Sequence, residues 1–228
     1  MDNVNDVVSN YDAILNEINE LSQGKASLVL ASKTVEQSVL KELVRQRKGI
    51  LLGENKVQEL LSKYFTAEGL EWHFIGRLQT NKVKYIVDKV SLIQSVDSLR
   101  LAEEIEKRAG KIDKTMDILV EVNVGMEESK GGVLQEELFD LLEKIKEMPH
   151  LRLRGLMSVL PDQEETKLVP LYRRLFALYN RVKEIKADNF AVDCLSAGMS
   201  GDYKIALQNG SNMVRIGSAV FGKRNYAK

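Results

Sequence analysis

The feature that most narrows what this chain can fold into is an alternation, repeated eight times, of short apolar runs with longer amphipathic stretches. The runs are SLVLAS, GILLGE, EWHFIG, SLIQSV, MDILVEVNV, LRLRGLMSV, FAVDCLS and MVRIGSAVF. Between them apolar residues recur at helical spacing: Leu101, Ile105 and Ala109 mark one stretch, and Leu168, Leu171, Tyr172, Leu175, Leu178 and Tyr179 another. Ahead of the first run, Tyr11, Ile14, Leu15, Ile18 and Leu21 predict an opening helix. Runs that are apolar throughout are buried on both faces, and strands joined through helices pair in parallel by right-handed crossovers. The fold class is therefore α/β.

Eight such units in 228 residues suit a closed (β/α)8 TIM-type barrel with an additional N-terminal helix. An open doubly wound sheet is the competing arrangement, but no G-x-G-x-x-G follows the first run, where a dinucleotide-binding sheet needs its phosphate turn. The prolines are Pro149, Pro161 and Pro170, and no Pro/Gly-rich linker divides the chain, so residues 1–228 are expected to form one domain.

Composition excludes several partners. Lys plus Arg and Asp plus Glu both number 33, so no net basic field draws the chain to nucleic acid or to an anionic membrane. No apolar run approaches the roughly 20 residues of a bilayer-spanning helix. Cys194 is the only cysteine and MDNVNDVVSN lacks a secretory apolar stretch, which points to the cytoplasm. With two histidines, His73 and His150, expected at opposite ends of their strands, no metal site can be assembled. Cys194 reads as core.

Barrels build their sites at the C-terminal ends of the strands. Those ends carry Ser32-Lys33-Thr34, Gly53-Glu54-Asn55, His73 to Gly76, Ser95-Val96-Asp97, Asn123, Met157, the segment Ser196 to Ser200, and Arg215-Ile216-Gly217-Ser218. Lys33 follows Leu28-Val29-Leu30-Ala31, so its amine projects into the barrel mouth. Desolvating an ammonium favours the neutral amine that attacks carbonyls, but taken alone Lys33 reads first as an ordinary solvated rim lysine.

Two later segments look like the halves of a phosphate cup. Ser200 falls where a helix is expected to begin, either to present N–H donors to an anion or simply to cap the helix. On the last strand Gly217 lets the backbone approach an anion and Ser218 donates from hydroxyl and amide, and barrels often hold phosphate between the loops after strands seven and eight. Alternation puts Arg215 and Gly217 on one face, with Arg215 aimed at a ligand ring or paired with a strand-end carboxylate. A lysine on strand one and a phosphate cup on strands seven and eight call for a ligand with an aldehyde and a phosphate. Pyridoxal 5′-phosphate has both. A sugar-phosphate aldolase would use the same two features. Asp97 and Thr80 read as helix caps, and Met157 and Met199 as residues able to pack on a ring.

Taken in order, Ser32-Lys33-Thr34, Gly53-Glu54-Asn55 with Val57-Gln58-Glu59, Trp72 to Gly76, Leu78-Gln79, Asn81-Lys82, Ser95-Val96-Asp97, Gly155-Leu156-Met157, Ser196, Gly198-Met199-Ser200, Asp202 and Val214 to Gly217 carry a likeness. The chain resembles the pyridoxal-phosphate homeostasis protein family, a barrel related to the N-terminal domain of alanine racemase. The resemblance implies a lysine aldimine at Lys33, phosphate held by Ser200, Gly217 and Ser218, Arg215 facing the pyridine nitrogen, and Asn55 lining the mouth. It also implies a carrier that releases the cofactor to apo-enzymes, since an arginine opposite the ring nitrogen leaves the ring a weak electron sink. Departures from the family pattern fall at Lys56, Arg77, Gln94, Ala197 and Ser218; Lys130-Gly131-Gly132 matches it without an assignable role.

The alternative is an amino-acid racemase with Lys33 as one base. It needs a second proton carrier on the opposite face of the ring, for which Lys56, His73 and Tyr203 are the candidates. The racemase dimer shares its site through an added domain, and without that domain a monomer is expected.

Overall fold

Every one of the eight apolar runs becomes a strand in the computed structural model, which describes residues 4–127 and 131–222. The strands are β1 (Ser27–Ala31), β2 (Ile50–Glu54), β3 (Leu70–Phe74), β4 (Leu92–Val96), β5 (Met116–Glu121), β6 (Leu151–Met157), β7 (Phe190–Ser196) and β8 (Met213–Ile216). They pair in parallel in sequence order, and β8 returns to β1, closing the barrel. Leu30 lies opposite Leu52 on one side and Ile216 on the other, so the first and last strands join in register.

The helices are α1 (Val4–Ser22), α2 (Gln37–Gln46), α3 (Val57–Lys63), α4 (Leu99–Gly110), α5 (Leu138–Ile145), α6 (Glu165–Lys183), α7 (Tyr203–Gln208) and α8 (Ser218–Phe221). Between β3 and β4 a 3₁₀ helix, Thr80–Tyr85, takes the crossover position. The opening helix α1 buries Val7, Val8, Tyr11 and Ile18. It holds the last two units by Asn10 donating to the Val220 carbonyl and by Glu17 accepting from Tyr203 and Lys204.

Side chains alternate between two cores. Leu28, Leu30, Ile50, Leu52, Trp72, Phe74, Ile118, Val120, Val214 and Ile216 pack outward against the helices. Val29, Ile75, Leu92, Leu119, Met157, Cys194 and Met213 fill the barrel interior. Extending the inward set by the two-residue period brings Lys33, Asn55, Glu121, Arg215 and Gly217 to the upper end. The opposite end is laced by charge: Asp117 accepts from Arg152 at 2.6 Å and from Arg154 at 2.7 Å, and Arg154 continues to Asp193.

Several expected boundaries move, each for a hydrogen-bonding reason. The eighth run is strand only to Ile216, because the Gly217 carbonyl accepts the N–H groups of Val220 and Phe221 and starts α8. The fifth stops at Glu121 because the chain returning at Val133 takes the ladder: Val133 donates to the Glu121 carbonyl and Asn123 to that of Val133. The cap of α4 is Ser98, whose hydroxyl accepts from Leu101, and not Asp97, which accepts from that hydroxyl. Thr80 is already inside its 3₁₀ turn, preceded by Gln79, which makes no side-chain cap. Among the described residues no helix is long and apolar enough to cross a membrane.

Candidate functional site

The segment carrying Lys33 is held from both sides by buried charge. Glu54, at the outward-facing end of β2, is fully buried and accepts from the Ser32 hydroxyl and from Lys63 Nζ, each at 2.8 Å. Lys63 Nζ also donates to the Ser32 carbonyl at 2.8 Å and to Glu59 at 3.1 Å. Glu59 in turn accepts the Thr34 N–H at 2.5 Å. Burial works to raise the Glu59 carboxyl, but the Thr34 N–H and the Lys63 ammonium win and hold it below the usual carboxylate range. Thr34 sits at φ 66°, a left-handed conformation that a β-branched residue adopts at a cost. Lys33 is thus the middle residue of a tied turn, half-buried and on the inward row of β1.

The adjacent mouth is built the same way from β2 and β3. Asn55 follows Glu54, whose carboxylate accepts its N–H at 3.3 Å. A side chain at Gly76 would collide with the Asn55 backbone, the nearest atom lying 2.2 Å from where its Cβ would be. Only glycine lets the third strand end cross over the second this closely.

Across the mouth, the ends of β7 and β8 meet. The Gly217 N–H points to the Ser200 hydroxyl at 3.4 Å, so the two halves read from the sequence do come together. Gly198 makes the turn possible: at φ 101° its carbonyl accepts the Arg215 N–H at 2.9 Å. Ser200 does not begin a helix, however. The helix α7 starts at Tyr203, and Asp202 before it folds back to accept from the Met199 N–H and the Tyr172 hydroxyl, leaving Ser200 in the preceding turn. Ser218 is the exposed first residue of α8, and its hydroxyl makes no hydrogen bond among the described residues.

Arg215 lies between these flanks, buried to 4% exposure. It is not paired with a carboxylate: its terminal nitrogens donate to the Ser196 hydroxyl at 2.6 Å and the Ser158 carbonyl at 2.9 Å. Its Nε finds no acceptor among the described residues. A cationic N–H without a protein partner, on a residue at the barrel mouth, is a place for a ligand acceptor. Glu121, on the inward row of β5, is the acidic neighbour. Desolvation first and Asp97 second push its carboxyl up to about 7, against the pull of Arg215 and Arg77.

Of the residues singled out from the sequence, Lys33, Asn55, Arg215, Gly217, Ser218 and Ser200 therefore share one end of the barrel. Tyr203 does not: its hydroxyl serves Glu17 of α1 on the outer face. His73 is buried inside the barrel against Gln94, and Lys56 is an exposed residue at the start of α3. Met157 belongs to the interior core, whereas Met199 is 40% exposed. His150 pairs with Glu106 at the far end of β6. Gly131 lies beside the Glu121 carboxylate, and Lys130 falls outside the described residues. Glu121 and the Glu54–Lys63–Glu59 cluster were missed by sequence reading. For Glu121 a signal existed, since it stands two residues beyond Leu119 on the inward row.

The donor set fits a ligand carrying an aldehyde, a ring acceptor and a phosphate: an amine on one flank, N–H and hydroxyl donors on the other, and a guanidinium between them. Comparison with known proteins agrees. The family profile described as alanine racemase, N-terminal domain, matches residues 38–225. A pyridoxal phosphate homeostasis protein of Aquifex aeolicus is 47% identical over 88% of both chains. The chain belongs to this family. Its member in Escherichia coli K12 is 33% identical over 99% of this chain and all of its own.

Among solved structures, an unknown protein from Bifidobacterium adolescentis superposes with a TM-score of 0.86 at 27% identity, covering 96% of this chain and 95% of its own. PipY of Synechococcus elongatus, a structure with pyridoxal phosphate bound, is 24% identical, with a TM-score of 0.84 over 95% of this chain and 100% of its own. An alanine racemase of Clostridium difficile shares the fold more distantly, at 16% identity and a TM-score of 0.68, and this chain spans 58% of its length.

Proposed function

We propose that this chain binds pyridoxal 5′-phosphate covalently through Lys33 and acts in pyridoxal-phosphate homeostasis, holding the cofactor and releasing it to apo forms of dependent enzymes, without substantial catalysis of its own. The observation that carries this reading is the convergence of the tied Lys33 turn and the Ser200–Gly217–Ser218 cup on either side of the uncommitted Arg215 Nε. When bound, the cofactor would supply an aldehyde, and Lys33 is the amine that would hold it. Ser200, Gly217 and Ser218 offer donors to its phosphate, Arg215 faces its ring nitrogen without giving up a proton, and Asn55 lines the mouth. The closed barrel supports a single domain over residues 1–228, which acts as a monomer in this reading. The buried, unpaired Cys194 supports a reducing cytoplasm as its compartment.

The racemase reading gains nothing from the structure. Tyr203 is engaged on the outer face and His73 is sealed inside the barrel, so neither serves as the second proton carrier. The test is direct. Purified protein mixed with pyridoxal phosphate should show a visible absorption band that borohydride abolishes, and mass spectrometry of the reduced protein should locate the adduct on Lys33. An adduct elsewhere would overturn the site. Incubation of the loaded protein with L-alanine should yield no D-alanine above background; sustained turnover would refute the carrier.

A further inference from the structure

Arg215 makes no hydrogen bond to a carboxylate among the described residues, and its Nη1 instead heads a chain of side chains crossing the barrel interior. Arg215 Nη1 donates to Ser196 Oγ at 2.6 Å, Ser196 Oγ donates to Gln94 Oε1 at 2.6 Å, and Gln94 Nε2 meets His73 Nδ1 at 3.0 Å. His73 Nε2 then lies 3.8 Å from Glu71 Oε2, an oxygen that also accepts from Ser91 at 2.7 Å. Arg215, Ser196, Gln94 and His73 are exposed by 4%, 0%, 0% and 3%, so the links among them are shielded from bulk water. These residues come from β8, β7, β4 and β3. All four are on the inward rows.

One direction of the chain uses every hydrogen. A guanidinium donates and never accepts, so the Ser196 oxygen accepts from Arg215, and its own hydrogen goes to Gln94 Oε1. That fixes the amide with its oxygen toward Ser196 and its nitrogen toward His73 and the Met213 sulfur, 3.3 Å away. In that orientation His73 Nδ1 accepts, and a neutral ring carries its hydrogen on Nε2, facing Glu71. His73 beside it, together with Ser91, holds the Glu71 carboxyl down to about 2, so the far end of the chain is a fixed negative charge. A buried cation normally needs anions nearby; Glu121 and Asp202 act on Arg215 through space, while its Nη1 is bonded through Ser196, Gln94 and His73 toward Glu71.

We propose that Gln94 is a positioning residue for the cofactor: by fixing the direction of the chain from Glu71 to Arg215, it holds the guanidinium in place against the ring nitrogen of bound pyridoxal phosphate. This rests on the binding reading above. Gln94 and Ser196 act through Arg215 and do not touch the ligand.

Two measurements on the full chain test it. The first uses protein with 15N-labelled histidine and no ligand; of the two ring systems, that of His150 is assigned with H150Q. The neutral His73 ring should show a bare Nδ1 and its hydrogen on Nε2, and Gln94→Glu, which can only accept, should place a hydrogen on Nδ1. A proton on Nδ1 in the wild type, or a ring unmoved by Gln94→Glu, would overturn the chain. The second titrates pyridoxal phosphate by absorbance. Gln94→Met should weaken uptake by about tenfold and shift the visible band, and Ser196→Ala, which cuts the same chain from the other side and guards against misfolding of the first variant, should do the same. The double variant should be no worse than either single one. Wild-type affinity and band position in both variants would refute the positioning role. Failure of the wild type to take up the cofactor would instead sink the binding reading, and the histidine spectra would still decide the chain.

Discussion

The two flanks of the barrel mouth are built on opposite principles. On the β1–β2 side, the Lys33 turn is tied by a buried ionic cluster in which Glu54, Lys63 and Glu59 each make more than one bond. On the β7–β8 side, the strand ends are joined by backbone bonds, Arg215 to the Gly198 carbonyl and Ala197 to that of Met213, the Ser200 hydroxyl adds only a 3.4 Å contact to Gly217, and the Ser218 hydroxyl is unused among the described residues. The difference matches what each flank is asked to do. An amine that must meet an aldehyde has to be held in place beforehand, whereas donors that must receive a doubly charged group are more useful uncommitted.

The comparison can be broken most decisively at Lys33 itself. Lys33→Ala should abolish covalent retention, read as loss of the borohydride-stable adduct, while leaving the phosphate cup able to bind pyridoxal phosphate reversibly. If the adduct persisted, the flank assigned to capture would be the wrong one. Next in size is Glu54→Gln, which leaves the Lys63 ammonium without its buried partner. Denaturant unfolding should show a loss of about 3–5 kcal/mol, since removing one member of a buried pair exposes the cost of the other.

Between the flanks, Glu121 should give a pH signature. Its carboxyl is raised from 4.5 to about 7 in the folded chain, so the fold binds this proton more tightly than the unfolded chain does. Stability from this group is complete below about 4.5 and declines as pH rises to about 7, by roughly 3 kcal/mol in all. Glu121→Gln should flatten that part of the profile; equal slopes in the two proteins would remove Glu121 from the account. The smallest effect on stability is expected at the cup. Ser200→Ala should cost less than about 1 kcal/mol in unfolding yet weaken pyridoxal phosphate uptake by about tenfold. A large stability loss there would erase the contrast with Glu54.

The barrel was legible because eight buried parallel strands leave eight predominantly apolar runs at regular intervals along the chain. The strand ends were less so. The sequence MVRIGSAVF reads as one run, yet a glycine carbonyl turns its second half into α8, a hydrogen-bonding choice that apolar spacing does not encode. The same holds for Ser200, whose helix start was displaced by Asp202 bonding backward to Met199 and Tyr172. Lys33 and Arg215 could be read from the sequence because a charge ending or interrupting an apolar run stands out. Gln94 and Ser196 could not, since an uncharged polar residue within a strand looks the same whether it crosses the barrel or caps its own backbone.

The bonding of Lys63 has a consequence for chemical selectivity. Two primary amines lie within reach of the end of β1, and a reactive aldehyde has no means of its own to prefer one. Lys63 Nζ spends its hydrogens on three acceptors, Ser32 O, Glu54 and Glu59, and its side chain is 9% exposed. An ammonium so engaged has no lone pair to offer. The protein thus reduces two neighbouring nucleophiles to one by saturating the other, and general amine reagents should modify Lys33 well before Lys63.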